Sequence, residues 1–206
     1  MYRPTNNSTM KTLSGQSRMS CRVFVLLCIV LLVSGVPQSS GAQSTADEYQ
    51  VKAAFLFHFA QFVEWPANAL NAGDPSFKLC IFDDDLRRHE LQSPIEGKSI
   101  GARVFRVHPI NQPQEIQGCD ILFLSHDNAR PQSAILRSLH GTPILTVGET
   151  SDFLTDGGII RFHLVEGKIR FDINLDAAES SHLKISSRLL LLATAVTRGG
   201  VADRGP

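Results

Sequence analysis

The chain has 206 residues, is 43% hydrophobic and 19% charged, and carries 12 Phe, so it can bury a sizeable core and is not a disordered polymer. Its formal charge is zero, but Arg3, Lys11, Arg18 and Arg22 all precede Asp47, the first acidic residue. Loss of the N-terminal segment therefore leaves a mildly acidic protein without a basic run, which argues against nucleic acid as a partner.

Val23–Val33 is an unbroken apolar run of 11 residues, preceded by Lys11, Arg18 and Arg22 and followed by Ser40-Gly41-Ala42. A basic region, a short apolar region and a small-residue ending are the parts of a cleavable export signal. The run falls short of the roughly 20 residues that span a bilayer. We expect residues 1–42 to be the signal, 43–197 to be one domain, and 198–206 to be a disordered tail. The exported chain keeps two cysteines, Cys80 and Cys119. In an oxidising compartment such a pair joins as a disulfide, with two buried thiols as the alternative.

Thr45-Ala46-Asp47-Glu48 reads as a capping box that opens a helix running to about Val63, stopped by Trp65-Pro66. Val51, Phe55, His58 and Phe62 form one apolar stripe of this helix, and Leu56, Phe59 and Val63 a second. Phe57 falls on the side of Gln50, Gln61 and Glu64. A helix apolar over most of its circumference is deeply buried or covers a partner, including a second copy of the chain.

Phe77–Phe82, Ile121–Leu124 and Pro143–Val147 are continuous apolar runs, the pattern of strands covered on both faces, as in a parallel sheet. Arg103–Val107 reads as a weaker edge strand, and Asp85–Leu91 and Pro131–Leu139 as helices. After Gly157-Gly158 the period becomes two. Ile160–Leu164, the turn Glu166-Gly167, and Ile169–Leu175 predict an antiparallel hairpin with one wet face. That face would present Lys168, Arg170, Asp172 and Asn174 in a row. Ser186–Val196 is predicted as a final helix. The fold class expected is a three-layer α/β sandwich: a mixed sheet with parallel core strands, a C-terminal antiparallel hairpin, and helices on both faces.

Catalytic signatures are sparse, and no cofactor or metal site is expected. Glu96-Gly97-Lys98-Ser99 ends like a phosphate-binding loop, but Gln92 occupies the first glycine position. The seven histidines show no ligand spacing. Asp83-Asp84-Asp85 at the end of the first parallel strand, with Ser125 and Thr146, resembles a phosphoacceptor cluster, yet the acceptor would be a serine. A solvated acidic turn is the simpler reading.

The segment from Glu48 to Pro66 (EYQVKAAFLFHFAQFVEWP) resembles the YfiR family of periplasmic proteins. The likeness continues through Phe77–Ile81, Gly118–Leu124, Ile144–Glu149, Gly157-Gly158, Ile169–Leu175 and Leu183–Leu190, in family order. It implies a non-enzymatic α/β protein that binds the periplasmic domain of an inner-membrane diguanylate cyclase, holds it inactive and so lowers cyclic di-GMP and biofilm formation. Cys80 and Cys119 match the more widespread disulfide of that family. A second disulfide of its founding members would fall near 148–160, where this chain has no cysteine. A periplasmic small-ligand binder or an accessory protein of a sensor kinase or outer-membrane receptor is the alternative. For a regulator acting through surface, Phe57 and the row Lys168, Arg170, Asp172 and Asn174 are the expected contacts.

Overall fold

The computed structural model describes residues 40–67, 69–70, 74–82, 88–125, 129–199 and 201–204; residues 1–39 of the expected signal lie outside them. Helix α1 spans Ser40–Phe62. It begins before the expected capping box, so Thr45 lies inside it, and Glu48 instead pairs with Lys52 one turn on. Tyr49, Ala53, Leu56, Phe59, Ala60 and Val63 recur at intervals of three and four and are all buried. After Phe62 the chain extends as β1 (Val63–Glu64), which pairs antiparallel with β9 (Lys184–Ile185).

The elements that follow are β2 (Ser76–Phe82), α2 (Arg88–Gln92), β3 (Ser99–Ile100), β4 (Arg103–Ile110), a 3-10 turn (Pro113–Ile116), β5 (Ile121–Leu124), α3 (Ala129–Ser138) and β6 (Leu145–Gly148). Then come β7 (Ile160–Val165), β8 (Lys168–Asn174), α4 (Leu175–Ser180), α5 (Ser187–Leu190), β10 (Ala195–Arg198) and β11 (Val201–Arg204). Among the described residues nine strands form one mixed sheet, ordered β11-β10-β8-β7-β6-β5-β2-β4-β3. The run from β4 to β7 is parallel, and β7 and β8 form the expected antiparallel hairpin, with Phe162 opposite Phe171.

The continuous apolar runs have a direct cause. Leu79, Ile81, Ile121, Phe123, Leu145 and Val147 join the core beneath α1. The alternating residues Cys80, Phe82, Leu122 and Leu124 pack on the other side, with Ile116 and with Ile135 and Leu136 of α3. Each strand buries both faces, so no polar alternation is visible. Under α1, Phe59 meets Phe171 edge-on at 5.1 Å and stacks on Phe162 at 5.7 Å. On the far side, the Phe153 ring lies between two glycines. A Cβ built on either Gly148 or Gly158 would come within 2.2 Å of it.

Two C-terminal expectations are corrected. The predicted helix Ser186–Val196 is only the single turn α5, capped by Ser186 through the Leu189 amide. The chain then leaves as β10, which lies parallel to β8, with Val196 beside Ile173. The apolar residues of this segment serve a turn and an added strand in succession, which mimics a helical stripe. The tail expected to be disordered contains β11, paired antiparallel to β10. The strand at Arg103 is longer than expected and has only the two-residue β3 outside it.

Candidate functional site

The hairpin turn is Glu166-Gly167, both with positive φ (50° and 72°), the geometry that lets two residues connect twisted antiparallel strands. It brings the ends of β7 and β8 beside the middle of α1, at Asp47, Glu48, Val51 and Phe55. Between hairpin and helix is a groove of about 630 Å³. Val51 and Phe55 line it from the helix, and Leu164 and Ile169 from the hairpin. The Phe55 ring is anchored on Phe171 at 5.5 Å, which fixes the floor.

Two of these apolar groups, with the adjacent Val165, remain open to solvent, while Ile169 is buried and Phe55 half-buried. Val51 is 44% exposed, Leu164 56% and the adjacent Val165 41%, although nearly every other large aliphatic side chain of the sheet is buried. The rim carries opposite charges: Asp47 and Glu48 on the helix, Lys168 and Arg170 on the hairpin. An apolar floor with a charged rim is the composition of a protein-binding hot spot. Because β10 accompanies β8 only along Asp172–Asn174, the outer edge at Lys168–Arg170 has no strand neighbour among the described residues.

The acidic wall is tied to the body of the protein. Lys52, one turn after Glu48, is 4% exposed and pairs with both Glu48 and Glu149, the latter at 2.5 Å. Burial disfavours its charge, but Glu149 and Glu48 outweigh that cost and raise its pKa above the ordinary 10.5. The pair anchors α1 to the residue that follows β6.

The row expected on the wet face of β8 divides. Lys168 and Arg170 are exposed and belong to the groove. Asp172 is buried, pairing with Arg161 at 2.5 Å and lying 3.4 Å from His163 Nδ1. Asn174 caps α4, accepting from the Ala177 amide at 3.0 Å and donating to the Leu154 carbonyl at 3.0 Å. The cause is the segment following β6, whose Ser151 and Leu154 carbonyls take hydrogen bonds from Arg161 and Asn174. That segment covers the upper half of the face, which period-two reasoning leaves wet.

Phe57 is also placed differently from expectation. Its ring meets Phe105 of β4 edge-on at 5.7 Å, and Lys98 Nζ sits 5.3 Å above it. It closes the core at the β4 side of the sheet, whereas the hairpin lies toward the other end of the strand order. Phe57 and the hairpin row thus do not form one surface. Glu96, in the loop that resembles a phosphate cradle, instead accepts from the Val107 amide at 2.7 Å and from Arg106 at 3.0 Å. Ser125 is buried, and Asp83-Asp84-Asp85 lie outside the described residues.

Sequence reasoning passed over Val51, Phe55 and Leu164 as groove residues. One signal was available: Leu164-Val165 places two large apolar residues in succession just before the turn, so one of them must leave the core face. Cys80 and Cys119 are joined, with Cα atoms 5.8 Å apart, which links mid-β2 to the residue preceding Asp120 and β5. A disulfide fits an oxidising compartment. The chain matches the family model described as YfiR/HmsC-like over residues 49–194, well over half its length, and belongs to that family.

Proposed function

We propose that this member of the YfiR/HmsC-like family is a periplasmic regulator, exported by a signal peptide of residues 1–42 and not an enzyme. It binds the periplasmic domain of an inner-membrane diguanylate cyclase, or of a similar sensor protein, and holds it inactive, lowering cyclic di-GMP. The observation that carries the reading is the groove between α1 and the hairpin. Its apolar floor, with Val51 and Leu164 exposed and Phe55 half-buried, lies between walls of opposite charge. A partner inserts an apolar anchor there, while its own charges meet Lys168 and Arg170 on one side and Asp47 on the other.

The test is capture of a membrane partner by the purified protein and by two variants, Leu164→Asp and Arg170→Glu. Both residues are exposed, so both variants should melt near wild type. Leu164→Asp should weaken capture by about 2 kcal/mol or more, the range of an interface anchor. Arg170→Glu should slow association and make it less sensitive to salt. Cyclic di-GMP should rise in cells carrying either variant. If both variants capture and repress like wild type, the groove is not the docking site.

A further inference from the structure

The groove between α1 and the hairpin follows the edge of a strand. Side chains alternate along β8, so Ile169 faces the core beneath α1 while Lys168 and Arg170 face away from it. A groove lined by all three, and by Gly167 at the turn, therefore runs along the outer edge of β8.

Backbone direction alternates as well. The Asn174 amide donates to the Ile159 carbonyl at 2.8 Å, so the even-numbered residues of β8 bond toward β7. The odd-numbered residues turn outward. The Phe171 carbonyl accepts from the Thr194 amide at 2.8 Å, where the chain joins β8 to become β10. Ile169 is the next residue on that outward edge. Neither its N–H nor its C=O has a hydrogen-bond partner among the described residues. Unpaired backbone groups at a sheet edge are a template for another strand.

The surroundings fit one kind of strand. On the face away from α1, Lys168 and Arg170 are exposed, about 7 Å apart, and in no ion pair among the described residues. On the face toward α1, the neighbours of Ile169 are Val51, Phe55 and Leu164. The exposed Leu192 and Leu191 lie two and three residues before Thr194, at the far end of the free stretch. An edge closed to all strands carries charge on both faces, whereas this one is cationic on one face and apolar on the other.

We propose that the partner of the regulatory reading docks by adding an extended segment to the outer edge of β8 at Lys168–Arg170, the edge that β10 occupies further along. The backbone of the segment pairs with Ile169. Its central apolar side chain lies beside Ile169, toward Val51, Phe55 and Leu164, and an acidic side chain on either side of it lies beside Lys168 or Arg170. The recognised pattern is acidic–apolar–acidic, because residues two apart in an added strand share a face at the spacing of the two cations. The proposal rests on the regulatory reading and adds the conformation and chemistry of the partner's segment.

The probe is the capped peptide Thr-Glu-Val-Glu-Thr, titrated into the purified protein and followed by NMR. One control is Thr-Lys-Val-Lys-Thr. The other is the acidic peptide N-methylated at its three central amides, which keeps the side chains and loses the backbone donors. The acidic peptide should bind and slow hydrogen exchange of the Ile169 amide by about tenfold or more. Each control should bind about tenfold or more weakly. Replacing Lys168→Glu and Arg170→Glu together, at two exposed positions, should reverse the charge preference. Absence of binding by the acidic peptide up to about 10 mM, past the millimolar end of specific affinity, would overturn the proposal, as would equal binding of either control. So would protection of the Ile169 amide on raising the protein concentration alone, which would give the edge to a second copy of the chain. Membrane capture by Leu164→Asp separates the two readings. Lost capture without peptide binding overturns the added strand alone, whereas unchanged capture overturns docking in the groove and the added strand with it.

Discussion

Replacing both Cys80 and Cys119 with alanine removes a cross-link between residues 39 apart in sequence. In the chain-entropy treatment, a loop of that size restricts the unfolded state by about 4 kcal/mol at 25 °C. The folded state should lose much less. Asp120 stays bound to Lys78 through two hydrogen bonds, at 2.9 Å between backbones and 2.7 Å to its carboxylate. Leu79 and Ile121 stay paired as neighbours in β2 and β5. Both sulfur atoms lie in the core on the α3 side, so alanine also leaves a small void, which adds a smaller loss. Urea denaturation should therefore show a native baseline like wild type, a stability lower by about 4 kcal/mol, and a steeper transition, because the unlinked chain exposes more surface. Wild type unfolded in the presence of a reductant should match the double variant. A loss below about 1 kcal/mol with an unchanged slope would refute the reasoning, since the cross-link would then restrict little of the unfolded chain.

Lys52→Met removes the buried cation shared by Glu48 and Glu149 and should cost about 3 kcal/mol by urea midpoint; adding Glu149→Leu should recover most of it. Because the folded pKa of Lys52 is raised above 10.5, its contribution is fully present below that value and lost as pH climbs through the higher folded value, so wild type should lose stability relative to Lys52→Met only in strongly alkaline solution. Gly158→Ala places a methyl group 2.2 Å from the fully buried Phe153 ring and should lower stability by about 1–3 kcal/mol, with Phe153→Leu in the same background restoring part of the loss in melting temperature.

Much of this architecture was legible in the residues. The three continuous apolar runs announced strands buried on two faces, and the period-two segments around Glu166-Gly167 announced the hairpin, because strand side chains alternate strictly between faces. Pro66 announced an end to the first helix, but the helix stops earlier, at Phe62, where Val63 and Glu64 pair with β9. What a one-dimensional pattern cannot carry is which neighbour reaches each side chain. Asp172 and Lys168 look alike on β8, yet only Asp172 is covered, because Arg161 and a distant loop fold over it. Phe57 looks like a solvent-side anchor on a helical wheel, yet β4 supplies Phe105 to meet it. Leu189 to Val196 carries a helical count of apolar residues, but pairing with β8 offered the backbone of Ala195–Thr197 a ladder, and tertiary hydrogen bonding overrode local propensity. Local periodicity was enough to determine the layers. The open groove was decided by contacts between segments far apart in the chain, and those exist only once the sheet has ordered its strands.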